Sequence, residues 1–192
     1  MELSPATSAR YVDLAFEQML VVADRLGDDL VNQRPLGPGT NAVGAIVIHC
    51  CGVAEFWLGH VGMGRDSQRD REAEFERTAT VAELHAMVTQ ARRQIAADLD
   101  TLDLGVESPH AAGRAFLKAA DESDASLVLH VIEELFQHLG HCELAADALT
   151  GPGPDAETRP PRVPGAMAGR IEIAEDFDAT PDARVDLFEG EQ

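Results

Sequence analysis

The stretch Leu127-Val-Leu-His-Val-Ile-Glu-Glu-Leu-Phe-Gln-His-Leu-Gly-His141 decides the fold. Leu127, Val131 and Leu135 recur at helical spacing, and the same face runs on through His138 and Ala145 to about Leu149, so the segment reads as an amphipathic helix. Ser123 or Asp124 can cap its start, and Thr150-Gly-Pro-Gly-Pro154 stops it. A second stripe on this helix carries His130, Glu134, His138 and His141, at spacings of four, four and three. A carboxylate and three imidazoles among Val131, Leu135 and Leu139 are costly to bury without partners, and an ion is one solution. A solvated polar face, to which Glu133, Gln137 and Glu143 would belong, is the competing reading.

Residues i and i+4 lie on one helical face about one turn apart, so Glu134 and His138 can point at the same ion. A further nitrogen donor, His49, ends an apolar run in another segment. Two ligands from one helix and an imidazole from a neighbour make the three-protein-ligand set of a catalytic zinc, with a position left for water or substrate.

Working outward, three more helices follow from the periodicity. Ser4-Pro5 is a cap followed by proline at the first helical position, and Val12, Phe16, Met19, Leu20, Ala23, Leu26 and Leu30 mark an apolar face to about residue 33. Arg34-Pro-Leu-Gly-Pro-Gly39 ends it, after which Thr40 or Asn41 is expected to cap a second helix through about Val61, with Val43, Ile46, Val47, His49, Val53, Phe56 and Trp57. Residues 62–79, rich in Arg, Asp and Glu, read as a surface loop whose Arg65, Arg69 and Arg71 are either solvated or carboxylate-holding. Thr80 and Glu83 match a capping box, and Leu84, Val88, Ala91, Ile95 and Leu99 continue a third helix. The stretch 103–123 is irregular, with a short helical turn expected near 115–118.

These four helices predict an all-α four-helix bundle over residues 1–150, with metal ligands on facing helices. Residues 151–192 read as an acidic tail, extended or partly disordered, in which Arg170-Ile-Glu-Ile and Arg184-Val-Asp-Leu-Phe alternate like short strands. Against 15 basic residues stand 34 acidic ones, a net charge of -19 and a field that repels nucleic acid and anionic lipid. No apolar stretch reaches the roughly 20 residues of a membrane span, and Met1-Glu-Leu-Ser-Pro lacks the regions of a signal peptide. A cytoplasmic protein without nucleic-acid or membrane partners is expected. The three cysteines, Cys50, Cys51 and Cys142, read as reduced, small buried residues rather than sulfur ligands.

Three stretches now carry a resemblance: Thr40-Asn-Ala-Val-Gly-Ala-Ile-Val-Ile-His-Cys-Cys-Gly-Val-Ala-Glu-Phe-Trp-Leu-Gly-His-Val61, Arg69-Asp-Arg-Glu-Ala-Glu-Phe75 and His130-Val-Ile-Glu-Glu-Leu-Phe-Gln-His-Leu-Gly-His-Cys-Glu-Leu144. Over roughly residues 5–150 the chain resembles the DinB-like superfamily, in its branch of mycothiol-dependent transferases and maleylpyruvate isomerases. That superfamily binds a divalent ion with a histidine of the second helix and two ligands of the last core helix, often His-x-x-x-His and, in the mycothiol-dependent isomerases, Glu-x-x-x-His. The resemblance therefore implies His49, Glu134 and His138 as metal ligands, with His141 as an outer or alternate ligand and His130 as a neighbour of Glu134. It implies zinc, or else nickel, activating a low-molecular-weight thiol, mycothiol, toward a small electrophile. No separate C-terminal domain like that of the isomerases is recognisable in the sequence, so a thiol transferase, as a monomer or homodimer, is expected. A non-catalytic, stress-associated metal-binding bundle and a metal-dependent hydrolase using ion-bound water are the alternatives.

Overall fold

The computed structural model describes residues 3–105 and 123–151. It is all-α over these residues. Helix α1 spans Pro5–Leu30, α2 Val43–Ala54, α3 Arg71–Glu74, α4 Val81–Leu99 and α5 Asp124–Thr150, and a π-helical stretch, Glu55–Gly62, prolongs α2. The expected short strands of the tail and the helical turn near 115–118 lie outside the described residues.

The four long helices close into a ring in which α1 packs on α4 and α5, and α2 also packs on α4 and α5. The apolar faces meet at a core that includes Phe16, Met19, Val47, Leu84, Val88 and Leu135, each of them buried. Burying such a side chain stabilises the fold by about 1.5–3 kcal/mol, and this, more than helix propensity, holds the bundle. Helix α2 lies diagonally across from α1 and is covered almost all round: Val43, Ile46, Val47, Ile48 and Val53 are buried, and so are Ala45, Cys50 and Ala54. Together with the π-helical stretch it is long and apolar enough to cross a membrane, contrary to the expectation from sequence, but 67% of its most apolar window is buried inside the bundle. It is thus a core helix by its packing.

Three of the expected caps are formed. Ser4 Oγ accepts from Thr7 N ahead of Pro5, Ser123 accepts from Ser126 N, and Thr80 and Glu83 complete a capping box. The cap of α2 differs from expectation. Thr40 spends its hydroxyl within its own turn, donating to Gly37 O, and Ala42 occupies the cap position without a side-chain bond. Gly44 N instead donates to Val31 O at 2.8 Å, so the end of α1 satisfies the start of α2.

Helix α1 is not uniform up to residue 33 either. Gly27 has φ 62° and ψ 178° and kinks it, a conformation that essentially only glycine adopts. Beyond the kink Asp28 accepts from Val81 N at 2.7 Å, and Asn32 bonds both the N–H and the C=O of Ala79. The turn after α1 thereby fixes the entry of α4.

Residues 62–79 are more than a surface loop, because two of their side chains anchor it to the bundle. Arg65 reaches both carboxylate oxygens of Asp98 on α4 at 2.7 Å and also pairs with Glu55. Asp98 is buried, and the bidentate fork satisfies it. The guanidinium lies so close over Gly59 that a Cβ there would be 2.2 Å from Arg65 Nη2. The second anchor leads to the functional site.

Candidate metal centre

Helix α2 is the apolar spine from which His49 projects, and α5 presents Glu134 and His138 on successive turns of the neighbouring helix. One ligand atom from each of the three lies within 4.8 Å of the other two. His138 Nε2 and Glu134 Oε2 are 3.4 Å apart, close to the ~3.3 Å between donors about a tetrahedral ion with bonds near 2 Å. The wider separations need a closure of about 1–1.5 Å, within the reach of side-chain rotation. The His49 and His138 rings stand nearly perpendicular, edge to face, with centroids 4.9 Å apart.

The donor chemistry fits a divalent cation. His49 is buried, and its Nδ1 lies 2.8 Å from Glu74 Oε2. A carboxylate oxygen only accepts, which places the proton on Nδ1 and leaves the Nε2 lone pair for an ion. Burial holds His49 below its ordinary pKa of 6.5, against the pull of Glu74. His138 is lowered too, first by burial and then by the neighbouring His49 ring. Both imidazoles are therefore neutral at neutral pH, the state that ligates a metal.

The other histidines of the stripe take outer places. His141 Nδ1 is 3.3 Å from His138 Nδ1, and His130 Nε2 is 3.7 Å from Glu134 Oε1. His130 also meets the ring of Trp57 edge to face at 5.0 Å. The polar stripe is thus a mixed one: His130, Glu134 and His138 line concave surface, while Glu133 and Gln137 bond to each other on the outside.

A pocket of about 590 Å³ opens on the site, bounded by His49, Phe56, Trp57, Arg69, Arg71 and Glu134. Its aromatic walls come from the π-helical stretch. A second pocket of about 360 Å³ is lined by His138 and His141 together with Leu36, Ile46 and Leu144.

Of the three loop arginines, Arg65 is committed to Asp98 and Glu55, away from the pocket, and Arg69 grips Glu74 with Nε at 2.7 Å and Nη2 at 2.9 Å. Arg71 rests over the Phe75 ring at 5.6 Å and makes no ion pair among the described residues. Sequence reasoning missed Glu74, which sat among four other acidic residues of 62–79 without periodicity to single it out. Its one sequence signal was Gly52, a gap in the apolar wall of α2 facing a charged loop.

The cysteines surround the site but do not enter it. Burial pushes the Cys51 and Cys142 thiols up to about 12 and Cys50 well above the ordinary thiol range. None is poised as a thiolate.

The chain belongs to the mycothiol-S-transferase family, whose sequence profile matches residues 8–151. No curated protein and no solved structure matches it.

Proposed function

We propose that this mycothiol-S-transferase family member joins mycothiol to a small electrophile at a divalent-metal centre held by His49, Glu134 and His138. The observation that carries the reading is the convergence of these three donors within 4.8 Å of one another, with His49 and Glu134 lining a pocket beside them. Zinc is the ion that two imidazoles and a carboxylate suit best, with nickel the alternative. Bound there, a divalent ion supplies the positive charge that lowers the pKa of a coordinating thiol toward neutrality.

The chain's own groups do the rest. Glu134 contributes one negative charge to the centre, so that a dication and one thiolate reach charge balance. Phe56 and Trp57 wall the pocket and thin out the water around a sulfur nucleophile. Arg71 presents a guanidinium for an anionic or hydroxyl-rich group of thiol or electrophile. Burial holds all three protein thiols above the ordinary thiol range, which supports a nucleophile supplied by the cosubstrate. A carbon–sulfur bond forms as the electrophile loses its leaving group, and the thiol proton passes to solvent. Residues 1–150 act as the catalytic unit, and the reaction belongs in the cytoplasm, where small thiols stay reduced.

Turnover of a haloalkyl electrophile by zinc-loaded protein, with mycothiol, bacillithiol and glutathione compared, tests the proposal. Mycothiol is expected to support turnover best, and His138→Ala to lose both metal and activity. Zinc-loaded protein that ignores all three thiols would sink the transferase reading and leave a metal-binding bundle.

A further inference from the structure

The buried pair Glu74–Arg69 sits behind His49, where neither residue is one of the three convergent donors. Glu74 is 7% exposed and comes from α3, a helix of one turn that Asp70 caps through Ala73 N. One of its oxygens, Oε2, faces His49 Nδ1 at 2.8 Å, while Arg69 contacts both oxygens. Gly52, one turn after His49 on α2, makes the space: a Cβ there would be 2.2 Å from Glu74 Oε1 and 3.2 Å from Arg69 Nε. The carboxylate is therefore pinned on three sides by an imidazole, a guanidinium and the bare backbone of a helix.

Burying a carboxylate and a guanidinium in a bundle of this size is costly and contributes little net stability. What the pair fixes is a proton. Arg69 Nη2 lies only 3.3 Å from His49 Nδ1. A guanidinium can only donate, so without the carboxylate it would stabilise the tautomer with the proton on Nε2 and turn the lone pair away from the site.

We propose that Glu74 is a positioning residue for the metal centre: it holds the His49 proton on Nδ1 against the competing Arg69 donor and so directs Nε2 at the ion. The inference rests on the metal-centre reading and extends it to a group on the loop. Carboxylate partners behind ligating histidines are commonly worth 10–100-fold in metal affinity.

Glu74→Gln keeps the size of the side chain and removes its charge. Gly52→Ala keeps Glu74 and pushes it out of register with His49. In metal-free protein, ¹⁵N resonances of the His49 ring report the tautomer, and titration with Zn²⁺ and Co²⁺ reports affinity, with circular dichroism confirming the helical fold. Both variants are expected to shift His49 from the Nδ1–H toward the Nε2–H form and to bind Zn²⁺ about 10–100-fold more weakly. Wild-type affinity and an unmoved tautomer in the folded variants would overturn the proposal, even with a lowered melting temperature, because a merely structural pair would show that pattern. If Glu74→Gln does not fold, Gly52→Ala decides alone. Wild-type protein that binds neither ion would remove the metal centre itself, whereas wild-type binding with unaffected variants would remove only the role of Glu74.

Discussion

At the scale of single residues the centre is built around two imidazoles held neutral by burial. In an unfolded chain His49 and His138 take up protons near pH 6.5, whereas in the folded protein their pKa values are lower. The unfolded state then binds more protons than the native state between 6.5 and the folded values, and stability falls as pH drops through that window. The metal-free protein should show a lower urea midpoint at pH 5.5 than at pH 7.5, with little change between 7.5 and 8.5. Zinc should steepen the slope, since its ligands must shed protons to bind. A midpoint that is flat from 7.5 to 5.5 would mean that the two rings are solvated in both states. The spacing of Glu134 and His138 made this pair legible in the sequence, because one helix enforces their proximity. His49 was legible as a donor within an apolar run. Glu74 was not, since its approach to His49 depends on how an irregular loop folds back, which no local period records.

At the scale of elements, caps and breaks decide where the three convergent donors stand. The capping box at Thr80–Glu83 and the cap at Ser123 could be read from sequence because each is a local exchange of hydrogen bonds. The kink at Gly27 and the cap of α2 could not, because both are fixed by partners distant in sequence, Val81 for Asp28 and Val31 for Gly44. A Cβ at Gly27 would meet no atom within 4 Å, so Gly27→Ala isolates the backbone cost from any clash. The substitution should destabilise the protein by about 1–3 kcal/mol, measured by chemical denaturation. A loss under a few tenths would show that α1 straightens without consequence for the α4 entry. The π-helical stretch was also unforeseen: an extra residue per turn leaves the apolar composition of α2 unchanged while rotating the side chains that follow. Trp57 and Phe56 belong to this rotated set, and π-helical insertions of this kind recur at functional sites.

At the scale of the whole molecule the ring order of the helices explains why donors so far apart in sequence meet. Helices α2 and α5 are neighbours in space although α3 and α4 lie between them in the chain. The fold class was legible because four apolar periods of bundle length with polar connections leave few other packings. The net charge of -19 bears on stability rather than on the fold. Like charges repel within the compact state, and ~0.5 M salt shortens their reach to a few ångströms. The melting temperature should therefore rise between 20 mM and 500 mM sodium chloride. A fall would show that ion pairs such as Arg92 with Asp13 and Glu17 outweigh the general repulsion.

Gly52 and Gly59 stand seven residues apart along α2 and its π-helical continuation, and each receives a charged side chain of the following loop over its bare backbone, Glu74 at the first and Arg65 at the second. These two positions tie the sequence of the loop to that of the helix. A side chain at either glycine would call for a compensating change at Glu74 or Arg65. The loop and the helix are thus moored to each other at two points, and a side chain added at either glycine would have to displace the charged group that lies over it.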